Sequence, residues 1–268
     1  MPVVIIVLII LLILFLFMIA PSKPDSTRTV PFLNRYFAHR GLYEPDQSIA
    51  ENTLPAFERA IEAGYGIELD IRFSKDNQIV VFHDNTLARA AGIDQPVEHF
   101  TYEELAAIPL YGTDARIPLF RDVLDLIDGR VPLIVEIKAG KQNERLSAEA
   151  FEMLRHYKGP YCVESFDPRI IRWFKKNAPE VYRGQLACCY SKAAAENSKP
   201  VSFLASRCML NFLSRPNFIA YELIPLPFSV RLSEKMGAVP VCWTSRSEND
   251  ADGKRMVIFE HYRPPVSF

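Results

Sequence analysis

From Pro2 to Ala20 the chain carries no charged or polar side chain. A helix needs roughly 20 such residues to cross ~30 Å of hydrocarbon. The run has no polar face of the kind that marks a core helix in a soluble domain. A cleaved signal peptide is the rival reading, but it calls for a basic segment ahead of a shorter apolar core, and nothing basic precedes this run. The first basic residues, Lys23, Arg28 and Arg35, all follow it, and a cationic flank on that side places the rest of the chain in the cytosol. The pattern predicts a single-pass transmembrane anchor over 1–21, a polar, proline-bearing linker over 22–31 and one domain over 32–268.

Beyond the linker two periods alternate. Gly66 to Phe73 has strict period two: Ile67, Leu69, Ile71 and Phe73 on one face, Glu68, Asp70 and Arg72 on the other. Leu133 to Lys138 repeats the scheme, with Ile134, Glu136 and Lys138 opposite Leu133, Val135 and Ile137. Ile79 to His83 reads as a strand after a tight turn at Lys75-Asp76-Asn77. Further strands are expected at Tyr36 to Ala38, Tyr161 to Ser165, Val181 to Ala187, Phe218 to Glu222, Val239 to Thr244 and Met256 to Glu260. Helical spacing lies between them, over Pro55 to Ala63, from the capping box at Thr101 and Glu104, and over Phe120 to Ile127, Glu144 to Tyr157, Pro168 to Lys176, Val201 to Phe212 and Phe228 to Met236. About eight strands alternating with helices predict an α/β fold, a (β/α)8 TIM barrel.

Composition narrows the function. The 268 residues are 49% hydrophobic, enough for a large core, and the formal charge of −1 gives no electrostatic footprint for nucleic acid. Five cysteines, an odd number without metal spacing, read as buried thiols in a reducing compartment.

The polar strand faces carry the chemistry. Glu68 and Asp70, one pleat apart, point into the barrel, where two carboxylates repel and are costly to bury. A hard divalent cation compensates them, and Glu136 offers a third oxygen ligand. Lys138 can hold a phosphate oxygen, or Glu136 and Lys138 form an internal ion pair. His39 and His83 each close a strand, on the rim where such barrels keep their catalytic groups. Two imidazoles there can act as general acid and base. Arg40 adds a guanidinium for phosphate.

These residues resemble the glycerophosphodiester phosphodiesterase family. The likeness runs through His39-Arg40-Gly41, Glu51-Asn52-Thr53, Gly66 to Asp70, Ser74-Lys75-Asp76, His83-Asp84, Glu136-Ile137-Lys138, Glu164-Ser165-Phe166 and Trp243-Thr244, in the family's order. It implies a TIM barrel that hydrolyses glycerophosphodiesters to glycerol 3-phosphate and an alcohol. It further implies Mg²⁺ or Ca²⁺ at Glu68, Asp70 and Glu136, an acid–base pair in His39 and His83, and phosphate contacts from Arg40 and Lys138. A barrel phospholipase acting on lysophospholipid or intact lipid is the alternative, and a non-catalytic phosphoglycerol-binding membrane protein a second. The anchor is expected to keep the active-site rim near the bilayer. Asn85 to Pro118 falls where the family carries its substrate-cap segment. The chain departs from the family at its end, where Met256-Val-Ile-Phe-Glu-His261 replaces the usual Thr-Asp strand. The short polar stretch from Ser245 to Lys254 leaves little room for a last outer helix.

Overall fold

The strands fall where the period-two runs lie. The computed structural model describes residues 2–23, 26–251 and 253–268; Met1 of the expected anchor and Pro24 and Asp25 of the expected linker lie outside them. The strands are β1 (Arg35–His39), β2 (Gly66–Phe73), β3 (Ile79–Val81), β4 (Thr86–Leu87), β5 (Ile93–Pro96), β6 (Leu133–Ile137), β7 (Tyr161–Ser165), β8 (Tyr182–Ala187), β9 (Phe218–Glu222), β10 (Val239–Ser245) and β11 (Met256–Phe259). Eight are parallel, in the order β1-β2-β6-β7-β8-β9-β10-β11, and β11 pairs back with β1. The sheet closes into the expected (β/α)8 barrel and leaves no edge unpaired.

The helices are α1 (Pro2–Ile19), α2 (Ser26–Thr29), α3 (Leu54–Glu62), α4 (Ala88–Ala91), α5 (Tyr102–Ala107), α6 (Phe120–Ile127), α7 (Asn143–Leu154), α8 (Pro168–Asn177), α9 (Tyr190–Glu196), α10 (Lys199–Ser206), α11 (Asn211–Ser214) and α12 (Phe228–Lys235). Their apolar stripes cover the barrel: Phe57 of α3, Phe120 and Val123 of α6 and Phe174 of α8 pack with Ile67, Leu69, Ile71, Val135 and Ile137. Each such side chain contributes about 1.5–3 kcal/mol by leaving water. The inner faces of the strands fill the lower barrel with Phe37, Ile134, Tyr182, Phe218 and Met256. Phe32 plugs the floor, 5.4 Å from the Tyr182 ring.

Two expectations change, and the expected shortfall of the last outer helix is found. β3 runs antiparallel to β2 and is not a barrel strand; it ends at Val81, short of His83. The helix expected over Val201 to Phe212 is broken between α10 and α11, where Cys208 takes φ 52°. Tyr221 Oη donates to the Ser206 carbonyl at 2.7 Å, and Ser229 Oγ to the Arg207 carbonyl at 2.8 Å, drawing the chain out of helical register. The last outer helix is reduced to a 3₁₀ turn at Glu248–Ala251. The C-terminal tail covers that side instead, with Tyr262 and Phe268 against Phe259 and Tyr36 at 5.5 and 5.0 Å.

α1 is long and apolar enough to cross a membrane. Residues 3–14 of it are exposed and only its last turns touch the body. Those turns meet the residues leading into β9 and the end of α12, which lie on the N-terminal face of the barrel. Ser22 is held there by the Pro216 carbonyl at 2.9 Å, so this part of the expected linker is docked on the barrel.

Candidate active site

Strand register assembles the acidic centre. His39 pairs with Glu68, Asp70 with Glu136, and Glu136 with Glu164. All four carboxylates are buried. Oxygens of Glu68, Asp70 and Glu136 lie within 4.8 Å of one another. The set is all oxygen and hard, which suits Mg²⁺ or Ca²⁺. One oxygen of Glu164, Oε2, has no hydrogen-bond partner. Lys138 Nζ lies 2.8 Å from Asp70 and 2.7 Å from Glu136, so the expected phosphate lysine also forms the internal ion pair.

The electrostatics show how crowded the charge is. Burial, then the charges of Asp70, Glu136 and Glu164, push the Glu68 carboxyl well above the usual range. Burial raises Glu136 to about 7, against the pull of Lys138. Burial also pushes Asp70 upward, but Lys138, His83 and Arg40 outweigh it and hold it well below. Carboxyls forced apart in this way are those a divalent cation stabilises as anions.

The segments after β1 and β3 bring the imidazoles in. After His39 the chain turns sharply, with Arg40 at φ 55° and Gly41 at φ 80°. A Cβ on Gly41 would meet Ala56 at 2.9 Å. The turn aims the Arg40 amide at Glu68, at 3.1 Å, and Arg40 Nη1 at Glu51, at 2.7 Å. His83 arrives by another route than expected. The β2–β3 hairpin folds back, Phe82 N bonds the Asp70 carbonyl at 3.0 Å, and His83 drops to the level of the acids. His39 Nδ1 donates to Glu260 at 2.8 Å and His83 Nδ1 to Asp84 at 2.7 Å. A carboxylate only accepts, so each Nδ1 carries a proton and each Nε2 is left for the cavity. Burial lowers the pKa of both rings; Glu260 opposes this at His39, and Asp70 and Asp84 oppose it at His83.

The structure therefore gathers His39, Arg40, Glu68, His83 and Glu136 in the lining of one cavity of about 620 Å³. Asp70 lies beneath them, fully buried, and Lys138 at the edge. Several participants went unassigned from sequence. Glu260 takes His39, Tyr43 Oη at 2.9 Å and Arg246 at 2.6 Å. Asn52 Nδ2 orients Asp70 at 2.8 Å. Arg89, from the expected cap segment, reaches Glu51 at 2.6 Å and Asp84 at 2.7 Å. Glu51 and Asn52 belong to a motif that was visible, and Glu260 stands where the family pattern was departed from. Arg89 gave no sequence signal. A second cavity of about 560 Å³ shares His83 and Glu136 and continues between Phe166, Leu186, Ala193, Ala205 and Trp243.

A closed parallel barrel with acids and imidazoles on its C-terminal rim has the layout of a TIM-barrel enzyme. The chain belongs to the glycerophosphoryl diester phosphodiesterase family, whose model matches residues 39–260. A glycerophosphodiester phosphodiesterase of Caldanaerobacter subterraneus is 33% identical over 163 residues, 57% of this chain and 66% of that protein. A lysophospholipase D of Rattus norvegicus is 34% identical over 140 residues, 47% of this chain and 43% of that protein. The matching stretch thus spans less than two thirds of either relative's length. Among solved structures, an Oleispira antarctica phosphodiesterase in complex with the product sn-glycerol-3-phosphate superposes with a TM-score of 0.68 at 22% identity, over 86% of this chain and 94% of that one. That likeness is one of fold.

Proposed function

We propose that the chain hydrolyses glycerophosphodiesters to glycerol 3-phosphate and an alcohol, with one divalent cation, Mg²⁺ or Ca²⁺, held by Glu68, Asp70 and Glu136. The observation that carries this is the convergence of three buried carboxylates and two carboxylate-backed imidazoles on one cavity. The family and the Caldanaerobacter relative support it, and the fold is that of the product-bound Oleispira structure. Bound there, the cation would draw charge from a non-bridging phosphoryl oxygen in the transition state.

The chain's own residues do the rest. Nε2 of one histidine takes a proton from the attacking group and the other gives one to the leaving alkoxide. Glu260 and Asp84 hold each Nδ1 proton in place; one carboxylate stabilises the imidazolium that forms on the base, and the other the imidazolium with which the acid starts. Arg40 and Lys138 offer N–H donors to the phosphate, and Glu51 holds Arg40 in place. The test is a product assay over a glycerophosphodiester panel. Release of glycerol 3-phosphate should stop with chelator and return with Mg²⁺ or Ca²⁺. Full turnover in chelator, or no hydrolysis at all, overturns the reading.

The second cavity favours one further reading. Its apolar wall suits an alcohol group that carries a chain, as in a lysophospholipid, and a lysophospholipid arm in the same panel decides between them.

We also propose that α1 is a retained single-pass anchor with the barrel on the cytosolic side, residues 22–31 joining it to a catalytic domain at 32–268. Helix ends leave carbonyls without partners, and here the body supplies them. Arg215 Nη1 donates to Phe17 and Ala20 at 2.9 and 2.8 Å. Ser233 Oγ and Asn211 Nδ2 donate to Ile19 at 2.9 and 3.2 Å. Asn211 and Ser233 are fully buried. Cleavage near Ala20 would strand the two buried donors, Asn211 and Ser233, at about 1–3 kcal/mol each. A mature N-terminus near Pro21 would refute retention, and protease digestion of the barrel from outside intact cells would refute the orientation.

A further inference from the structure

We propose that the notch on the barrel floor beside the end of α1 binds the phosphate headgroup of an anionic phospholipid. The proposal rests on reading α1 as a retained anchor. The notch, about 230 Å³, is lined by Ser22, Lys23, Arg28, Glu180, Arg183 and Asn217 among others.

Arg183 is the telling residue. It is only 5% exposed. Its guanidinium donates to the carbonyls of Pro179, Val181 and Arg215, each at 3.3 Å, and its Nε has no partner. It forms no ion pair with any acid among the described residues. The other deeply buried cation, Lys138, touches two carboxylates. A buried charge without a counterion is costly, and an anion in the notch would remove that cost.

The surroundings share the imbalance. Lys23 and Arg28 are exposed on the notch. Lys175 close by has its pKa lowered by burial and by Arg215, Arg183, Arg172 and Lys176. None of these cations pairs with a described acid, whereas thirteen Lys and Arg elsewhere among the described residues do. The single acid among the described residues of the lining, Glu180, is exposed.

Depth selects a lipid as the occupant. The hydrocarbon-compatible run ends at Ala20, and Ser22 is pinned to the floor by the Pro216 carbonyl at 2.9 Å and Asn217 Nδ2 at 3.2 Å. The polar layer of a bilayer extends roughly 5–8 Å past the hydrocarbon. Lys23 and the notch therefore sit at headgroup level, where juxtamembrane cations meet anionic lipid.

The test uses the full chain, released from detergent micelles holding equal phosphatidylglycerol and phosphatidylcholine and read by native mass spectrometry. An intact mass that includes residues 2–20 is the entry condition, and its failure refutes the anchor and with it the lipid. The expected result is one retained phosphatidylglycerol in preference to phosphatidylcholine. In the double variant Lys23→Gln/Arg28→Gln, retention should weaken by about fivefold per cation removed, with hydrolysis of a water-soluble diester unchanged. Arg183→Met should weaken it too; if that variant does not fold, the surface pair still decides. Equal retention of both lipids, or retention untouched in the double variant, overturns the proposal. Displacement of the lipid by millimolar inorganic phosphate also overturns it, in favour of a soluble-anion site.

Discussion

Replacing Glu260 with Gln tests whether the first histidine is held for catalysis. Oε2 of Glu260 accepts from His39 Nδ1 at 2.8 Å and Tyr43 Oη at 2.9 Å, while Oε1 accepts from Arg246 at 2.9 and 2.6 Å. All these partners donate, and a glutamine has only one accepting end. If its amide nitrogen faces Arg246, donors oppose each other. If it faces His39, the imidazole must give up its Nδ1 proton and Nε2 carries the proton instead. Hydrogen bonds to a charged group are worth about 1.5–3 kcal/mol. Losing that orientation should lower kcat by about ten- to a hundredfold. KM should change less than kcat, because Glu260 bonds the ring, Tyr43 and Arg246 and touches neither Arg40 nor Lys138, the proposed phosphate contacts. The pH profile should move as well. Glu260 raises the pKa of His39 against burial and Arg40, so its removal shifts the His39 limb to lower pH. Movement of the acid limb identifies His39 as the base, and movement of the alkaline limb identifies it as the acid. Steady-state kinetics across pH on a water-soluble diester make the measurement. A variant within threefold of wild type, with both limbs unmoved, refutes the reasoning.

The same carboxylate should shape acid stability. Burial raises its pKa, but His39 and Arg246 hold it well below the usual range, so its stabilisation is complete above the unfolded-state value of about 4.3 and fades as pH falls below it; acid unfolding should be shallower in Glu260→Gln than in wild type. Glu68→Gln should weaken metal affinity by more than tenfold, read by titrating Mg²⁺ or Ca²⁺ into chelator-treated protein; an unchanged affinity removes Glu68 from the ligand set. His83→Ala should lower kcat by about 10²–10⁴ with the melting temperature near wild type, and a variant keeping more than about a tenth of the activity excludes that ring from proton transfer. Gly184→Ala should destabilise by about 1–3 kcal/mol, since its Cβ would intrude on the buried Phe218 ring; an unshifted melting curve would show that the barrel interior repacks.

What the sequence revealed follows from how local each signal is. β2 and β6 announce themselves by strict alternation, and with them Glu68, Asp70 and Glu136, because a strand's period alone decides which side chains face inward. His39 and Arg40 are legible as a strand end followed by glycine. Glu260 is not, since its role depends on the register Ala38 to Phe259 across the closing seam of the barrel. Arg89 is hidden for a similar reason: its partners Glu51 and Asp84 meet it only through the folding of the cap segment. His83 was expected at the rim for the wrong reason, because a period-two run does not say whether its strand is parallel. α9 and the break at Cys208 escaped notice, as the hydroxyls that draw the chain out of helix come from β9 and α12.

If α1 is retained in a membrane, the clasp around its last turn would also set where the barrel meets its substrate. A loose tether would let the barrel tumble and bring its opening near the bilayer, as the anchor alone suggested. Here the clasp grips the end of the barrel opposite His39 and His83. With α1 in a bilayer, the opening is carried about 20 Å clear of the surface, the span of some six strand residues at ~3.3 Å each. Turnover would then track the dissolved pool of diesters beside the membrane. A lysolipid would be cleaved only as a monomer that has already left its leaflet, so its off-rate from the bilayer, more than its abundance there, would govern its supply.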